Sequence, residues 1–257
     1  MEHHLPAEFL TRKIFIAVIG AGGTGSQLMT GLVRLHLALI ALGHPHGIEV
    51  TLFDDDIVTE SNIGRQAFYP SDIGHYTAST IVNRINMGFG LAWESELERV
   101  SETTSFTKYR IVIGCVDNRR ARKAILEACQ RSSVRYWLDT GNRLSDGQCI
   151  LGEVGRGYGL EGEGVRLPNV ADLYPEMIDP SLDETDEMPS CGLADALEKQ
   201  SLFINSAMTL WACNLLFEFF RYGKISYHGN FINLKSGKTA PLMIDPEVWK
   251  RMGYVAK

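Results

Sequence analysis

An apolar run, IFIAVI at 14–19, passes into GAGGTGS at 20–26 and then into QLMTGLVRLHLALIAL at 27–42, where apolar residues recur at helical spacing. No other stretch restricts the fold as much. A strand, a glycine turn and a helix in this order form the first unit of a parallel α/β sheet. Gly20, Gly22, Gly23 and Gly25 let the backbone turn tightly and come close to a ligand. The helix begins with unpaired N–H groups, which suit phosphate oxygens. Ser26 is placed to cap that helix or to donate to a phosphate. The bland alternative is a turn that only packs a helix on a sheet.

The next strand, IEVTLFD at 48–54, ends in an acid. An acid at that place accepts hydrogen bonds from a ribose, and Asp54 is the candidate. The competing reading is that Asp54, Asp55 and Asp56 merely end a strand at the surface. The turn reads GxGGxGS and the connection through HLALIALGHPHG is long. Both depart from the dinucleotide fingerprint and argue against a dehydrogenase.

Bulk properties narrow the field. A chain of 257 residues suffices for one large α/β core, or one core with a small appendage. The net charge is −6 and Lys and Arg form no long run, so no nucleic-acid partner is expected. Cysteines at 115, 129, 149, 191 and 213 form no CxxC pair, which argues against zinc knuckles or a disulfide framework. Their spread fits a reducing compartment, and MEHHLPAEFL is not a secretion signal. LFINSAMTLWACNLLFEFF carries Asn205, Asn214 and Glu218, so it reads as a buried helix and no membrane span is expected.

The stretch FDDDIVTESNIGRQAF at 53–68 concentrates charge and amide groups just beyond that second strand. Together with GAGGTGS, DIG at 72–74 and IGCVDNRRAR at 113–122, it resembles the ThiF, MoeB and HesA group of ubiquitin-activating-type adenylyltransferases. More narrowly, LVRLHLALIALGHPHG, PSCGLADALEKQSLFIN and YHGNFINLKSGKTAPLMIDP resemble the ThiF-related member of the bacterial PRTRC cassette. The resemblance implies a Rossmann-like, mainly parallel sheet with helices on both faces and an antiparallel C-terminal extension. It implies one adenylation domain over 1–257 in a cytoplasmic bacterial protein.

It also implies that a carboxylate at the C-terminus of a small ubiquitin-like protein attacks the α-phosphate of ATP and releases pyrophosphate. Under it, Asp54 would hold the ribose and Asp56 would support the local hydrogen bonds. Asn62 and Arg65 would contact the phosphates, Gln66 would shape their loop, and Asp117 would hold Mg²⁺. The chemistry agrees: an anion attacking a phosphate needs donors and a metal around the charge. Arg65 supplies a rigid fork and Asp117 a hard oxygen. The bland readings are a surface ion pair for Arg65 and a helix cap for Asp117.

One position departs from the pattern. The family carries a phosphate-binding lysine three residues after the glycine of DIG, and this chain has Thr77. Three accounts compete. Another cation such as Arg84, farther along the same helix, reaches in; a partner subunit supplies it; or the chain is a scaffold that binds without adenylating. His75 is a poor substitute because it is largely neutral near pH 7.

The second half is less legible. Residues from about 152 to 190 are glycine-rich, then acidic with prolines, and read as an irregular, flexible crossover. Cys191 ends it and precedes a helix, where a thiolate is stabilised. Cys191 is the candidate to take the acyl group as a thioester, against a purely structural role of equal weight. Cys115, Cys149 and Cys213 read as core. A hairpin is expected at about 225–244, with His228 and Asn230 structural. Trp249 and Tyr254 would pack on the body or on a second subunit. The resemblance also implies a homodimer or a heterodimer with a related subunit. Arg12 or Lys13 would then reach a neighbour's ATP site, unless the pair is only a solvated flank.

Overall fold

The computed structural model describes residues 1–154, 165–183 and 201–256. In chain order the elements are β1 (His3–His4), α1 (Glu8–Thr11), β2 (Ile14–Ile19), α2 (Gly23–Ala41), β3 (Ile48–Phe53) and α3 (Thr77–Phe89). They continue with β4 (Glu94–Glu96), β5 (Ile111–Gly114), α4 (Arg119–Gln130), β6 (Tyr136–Asn142), β7 (Asp146–Glu153) and α5 (Val170–Leu173). Last come α6 (Ile204–Tyr222), β8 (Lys224–Ile225), β9 (Tyr227–Asn233), β10 (Lys238–Met243) and α7 (Pro246–Arg251).

Eight strands form one sheet in the order β10-β9-β7-β6-β5-β2-β3-β4. The pairs among β6, β5, β2, β3 and β4 are parallel, and β6-β7, β7-β9 and β9-β10 are antiparallel. The expected Rossmann-like sheet with an antiparallel extension is therefore what the chain builds. Ile16, Ala17 and Val18 of β2 are fully buried, as a central parallel strand covered on both faces requires. Right-handed crossovers put α2 and α4 on opposite faces, because β3 and β6 lie on opposite sides of the β2–β5 pair. The apolar helix α6 packs along α2 and touches β6 and β7. Gly31 allows that approach, since a Cβ there would lie 2.3 Å from Cys213 Sγ.

Register sets up the site. Ile19 is level with Phe53 on one side and with Gly114 on the other. Gly20, Asp54 and Cys115 therefore leave the sheet side by side. This is the switch point between β2 and β5, where open α/β sheets leave a crevice.

Residues 165–183 fall inside the stretch read as a flexible crossover, yet they pack on the body. Leu167, Val170 and Leu173 are buried at three-residue spacing. Both carboxylate oxygens of Asp183 accept from the first N–H groups of α4, those of Arg119 at 3.0 Å and Arg120 at 3.1 Å. At the other end, Trp249 is buried against its own chain and donates from Nε1 to His228 Nε2 at 2.9 Å. His228 donates from Nδ1 to the Leu151 carbonyl at 2.8 Å. Burial pushes the imidazole pKa down to about 4, against that hydrogen bond.

Candidate active site

The four glycines of the first turn have different reasons to be there. Gly20 has φ +96°, and a Cβ on it would lie 2.8 Å from the Cys115 carbonyl oxygen. A Cβ on Gly25 would lie 1.8 Å from the Gly20 oxygen, and one on Gly23 would lie 2.3 Å from the Asn205 amide. Backbone excludes a larger residue at Gly20 and Gly25, and at Gly23 a Cβ would have to displace the Asn205 amide. Gly22 differs: a Cβ there would meet nothing within 4 Å. It stands at the N-terminus of α2, which has no side-chain cap. Open space above an uncapped helix start fits a chain of phosphates.

Asp54 sits beside this turn. Its Oδ2 accepts from Ala21 N–H at 2.6 Å. Its Oδ1 accepts from Asp56 N–H at 3.0 Å and from the Thr77 hydroxyl at 2.5 Å. Asp56 is exposed, and its pKa is raised by burial of part of its surroundings and by the charges of Asp54 and Asp55. Arg99 ion-pairs with Asp55 at 3.3 Å.

Residues 55–76 leave the sheet and return, and the excursion is closed at its base. Ile57 bridges Tyr76 antiparallel, Val58 N–H donates to His75 O at 2.9 Å, and Gly74 N–H donates to Val58 O at 2.9 Å. Thr77 N–H completes the closure by donating to Asp56 O at 3.0 Å. Within the excursion, Asn62 Oδ1 accepts from the Thr59 N–H at 2.7 Å and the Thr59 hydroxyl at 2.9 Å. That fixes the side chain through its amide oxygen. Gln66 Oε1 is buried without a donor among the described residues.

The loop at 64–67 is then tied to α2. Ser26 accepts from Ala67 N–H at 3.1 Å, and Gln27 Nε2 donates to Arg65 O at 3.3 Å. Ser26 is fully buried, so its hydroxyl anchors this loop. A cleft of about 310 Å³ is lined by Gln27, Arg65, Gln66, Phe203 and Ser206, with Ser206 donating to Gln27 Oε1 at 2.7 Å. The Arg65 guanidinium has a pKa lowered by burial, against which the negative charge of Asp117 acts.

Arg84 is engaged elsewhere. It donates to Ala67 O at 2.8 Å, pairs with Asp72 at 2.6 Å, and its guanidinium carbon lies 4.3 Å from the Tyr69 ring centroid. It braces the excursion from α3. Thr77 is 4% exposed, with its hydroxyl turned to Asp54. Arg12 is exposed, while Lys13 pairs with Glu49 at 2.9 Å.

Asp117 follows β5. The helix cap that sequence alone allowed it to be is Asn118, whose Oδ1 accepts from Ala121 N–H at 2.8 Å. Asp117 is left exposed, accepting from Asn118 Nδ2 at 3.1 Å. Behind it, Arg122 donates to the buried Asp139 at 3.0 Å and to the Val116 carbonyl at 2.9 Å, fixing the backbone just before Asp117. Sequence reasoning passed over Arg122 and Gln27, although an arginine one turn into a helix after an apolar strand was a visible signal. Asn205 accepts from the Thr24 hydroxyl at 3.1 Å and from Asn142 Nδ2 at 2.9 Å, joining α2, α6 and β6. Among the described residues, no group of three or more His, Cys, Asp or Glu side chains converges to hold a metal. A Mg²⁺ at Asp117 would draw its remaining oxygens from phosphate and water, as Mg²⁺ commonly does.

Cys115 and Cys213 have pKa values raised to about 12 by burial, and burial pushes Cys129 and Cys149 up as well. None of these four is poised as a thiolate. Cys191 lies outside the described residues. No helix among the described residues is long and apolar enough to cross a membrane.

An open sheet with a glycine turn, an uncapped helix start and an acid beside that turn defines a Rossmann-like α/β protein with an anion-receptive crevice. The ThiF family model matches residues 10–246, and the chain belongs to the ThiF family. It is 26% identical over 148 residues to the ubiquitin-like modifier-activating enzyme 5 of Dictyostelium discoideum, covering 51% of this chain and 35% of that protein. It is 28% identical over 125 residues to the adenylyltransferase and sulfurtransferase UBA4 of Yarrowia lipolytica, covering 46% of this chain and 28% of that protein. The chain thus spans about a third or less of the length of these curated relatives. The crystal structure of PaaA matches with TM-score 0.60 at 15% identity, covering 92% of this chain and 65% of that one, which shows the fold alone.

Proposed function

We propose that the chain activates the C-terminal carboxylate of a small ubiquitin-like protein with ATP, in the manner of ThiF-type adenylyltransferases and of the PRTRC subtype. The observation that carries it is the space left at Gly22 over the uncapped start of α2, beside Asp54, whose carboxylate accepts from the neighbouring Ala21 N–H. The relatives' printed names, a modifier-activating enzyme and an adenylyltransferase, support the same chemistry.

In this reading the first N–H groups of α2 and the Asn62 amide take phosphate oxygens. Arg65 offsets the charge that builds as the carboxylate approaches the α-phosphorus. A carboxylate oxygen–phosphorus bond forms, the bond to the leaving pyrophosphate breaks, and an acyl-adenylate results. Mg²⁺, when bound at Asp117, supplies charge neutralisation on the departing oxygens. Asp54 holds the ribose. Cys191 would receive the acyl group afterwards, with release of AMP, and a second subunit would complete the assembly.

Radiolabelled pyrophosphate exchange into ATP, dependent on Mg²⁺ and on an added acceptor protein, tests the reading. Absence of exchange with every acceptor that binds would refute it. The scaffold reading is favoured by one observation: Thr77 is turned to Asp54 and Arg84 to Asp72, so neither fills the place of the family lysine. Binding of acceptor and ATP without exchange is its signature. An NAD-dependent redox activity would give neither.

A further inference from the structure

The residue that departs from the family pattern ties two groups together at the base of the excursion. Thr77 opens α3 and is 4% exposed. Its hydroxyl lies 2.5 Å from Asp54 Oδ1 and 3.1 Å from Asp56 O. With one proton to give, it donates to the nearer, charged acceptor. Two backbone donors, Ala21 N–H and Asp56 N–H, complete the set on Asp54.

Three donors on two oxygens fix the plane of that carboxylate. An unrestrained aspartate would have to be ordered when a sugar binds, at a cost in affinity. The same helix also holds the loop that carries Arg65, since Arg84 donates to Ala67 O at 2.8 Å. One turn of α3 sets the acid and a later turn sets the loop. A lysine at position 77 would delete the hydroxyl donor and force a long charged chain out of a buried position.

We infer that Thr77 is a positioning residue that sets Asp54 for a ribose, and that it is not the remnant of a lost phosphate-binding lysine. This rests on the nucleotide reading above and makes that position part of nucleoside selection.

The test compares binding of ATP and of 2′,3′-dideoxy-ATP to the full chain by calorimetry, with thermal unfolding as the folding control. The parent is expected to prefer ATP by roughly tenfold or more, as a site built for a hydroxyl does. Thr77→Val is expected to lose most of that preference while both nucleotides still bind, and Thr77→Ser is expected to restore it. Thr77→Ala, which adds no bulk, replaces the valine variant if the latter fails to fold. Thr77→Lys is expected to leave pyrophosphate exchange no faster than the parent. An undiminished preference in Thr77→Val or Thr77→Ala, or faster exchange in Thr77→Lys, overturns the inference. A parent that binds neither nucleotide overturns the functional reading itself, and a parent that binds both equally removes only the ribose role and this inference with it.

Discussion

Gly22→Ala and Gly25→Ala should part company in a way that only a ligand explains. In Gly25→Ala the new Cβ would lie 1.8 Å from the Gly20 oxygen, where about 3.5 Å is comfortable. Either the start of α2 or the turn after β2 must move. Overpacking of this kind costs about 3 kcal/mol, or roughly 10 °C in the thermal midpoint of a chain this size. In Gly22→Ala the Cβ would meet nothing within 4 Å, and φ is −70°. The cost to the fold is under about 1 kcal/mol, mostly from Ala being a poorer helix N-cap than Gly. Its methyl group would stand in the space assigned to phosphates. A displacement of about 1 Å at a reacting centre costs roughly a hundredfold, and exchange should fall by that order. Thermal unfolding and pyrophosphate exchange on both variants give four measurements. Gly22→Ala that folds and exchanges like the parent refutes the phosphate site, and Gly25→Ala as stable as the parent refutes the packing argument.

Arg65→Ala and Asp117→Ala should each lower exchange by at least about a hundredfold with little change in the unfolding midpoint, as removal of a charge-stabilising group does; exchange kinetics at saturating Mg²⁺ check this. Cys191→Ser should spare exchange and remove a reductant-sensitive acceptor conjugate on a non-reducing gel, and native thiol labelling at pH 8 should leave Cys129 and Cys149 unreacted, since both are fully buried and burial raises both. Arg122→Ala should destabilise the chain by about 3–5 kcal/mol in urea, because it strands the buried Asp139, whose pKa burial already raises against the pull of Arg122. His228 is neutral in the fold with a pKa of about 4, and the unfolded chain takes up a proton there below the ordinary value of 6.5. Its stabilising contribution is therefore complete above pH 6.5 and is lost as pH falls toward 4, by about 3 kcal/mol, and His228→Gln should flatten that slope in urea titrations.

The glycine turn, the acid after β3 and the parallel sheet could be read from order and periodicity because each is local. What sequence left open was settled by contacts across the chain. Asp117 and Asn118 are equally good caps by residue type, and only the position of the Ala121 N–H selects Asn118. Thr77 read as the loss of a charge, because its partner Asp54 lies on another element. Arg84 read as a substitute cation, because neither Asp72 nor the Tyr69 ring is adjacent to it in sequence. Leu167, Val170 and Leu173 were hidden among acids and prolines, where three apolar residues carry little pattern without the surface they cover.

The antiparallel closure joining Asp56–Val58 to Gly74–Thr77 has a practical corollary. It is built from main-chain groups, so the demands on side chains within the span reduce to those that Arg84 grips, Asp72 and the Tyr69 ring. That span is a replaceable cartridge on a fixed socket. Transplanting the interval from a relative, with the socket, the Ser26 anchor and the Asp72 and Tyr69 partners of Arg84 retained, should leave the sheet beneath folded.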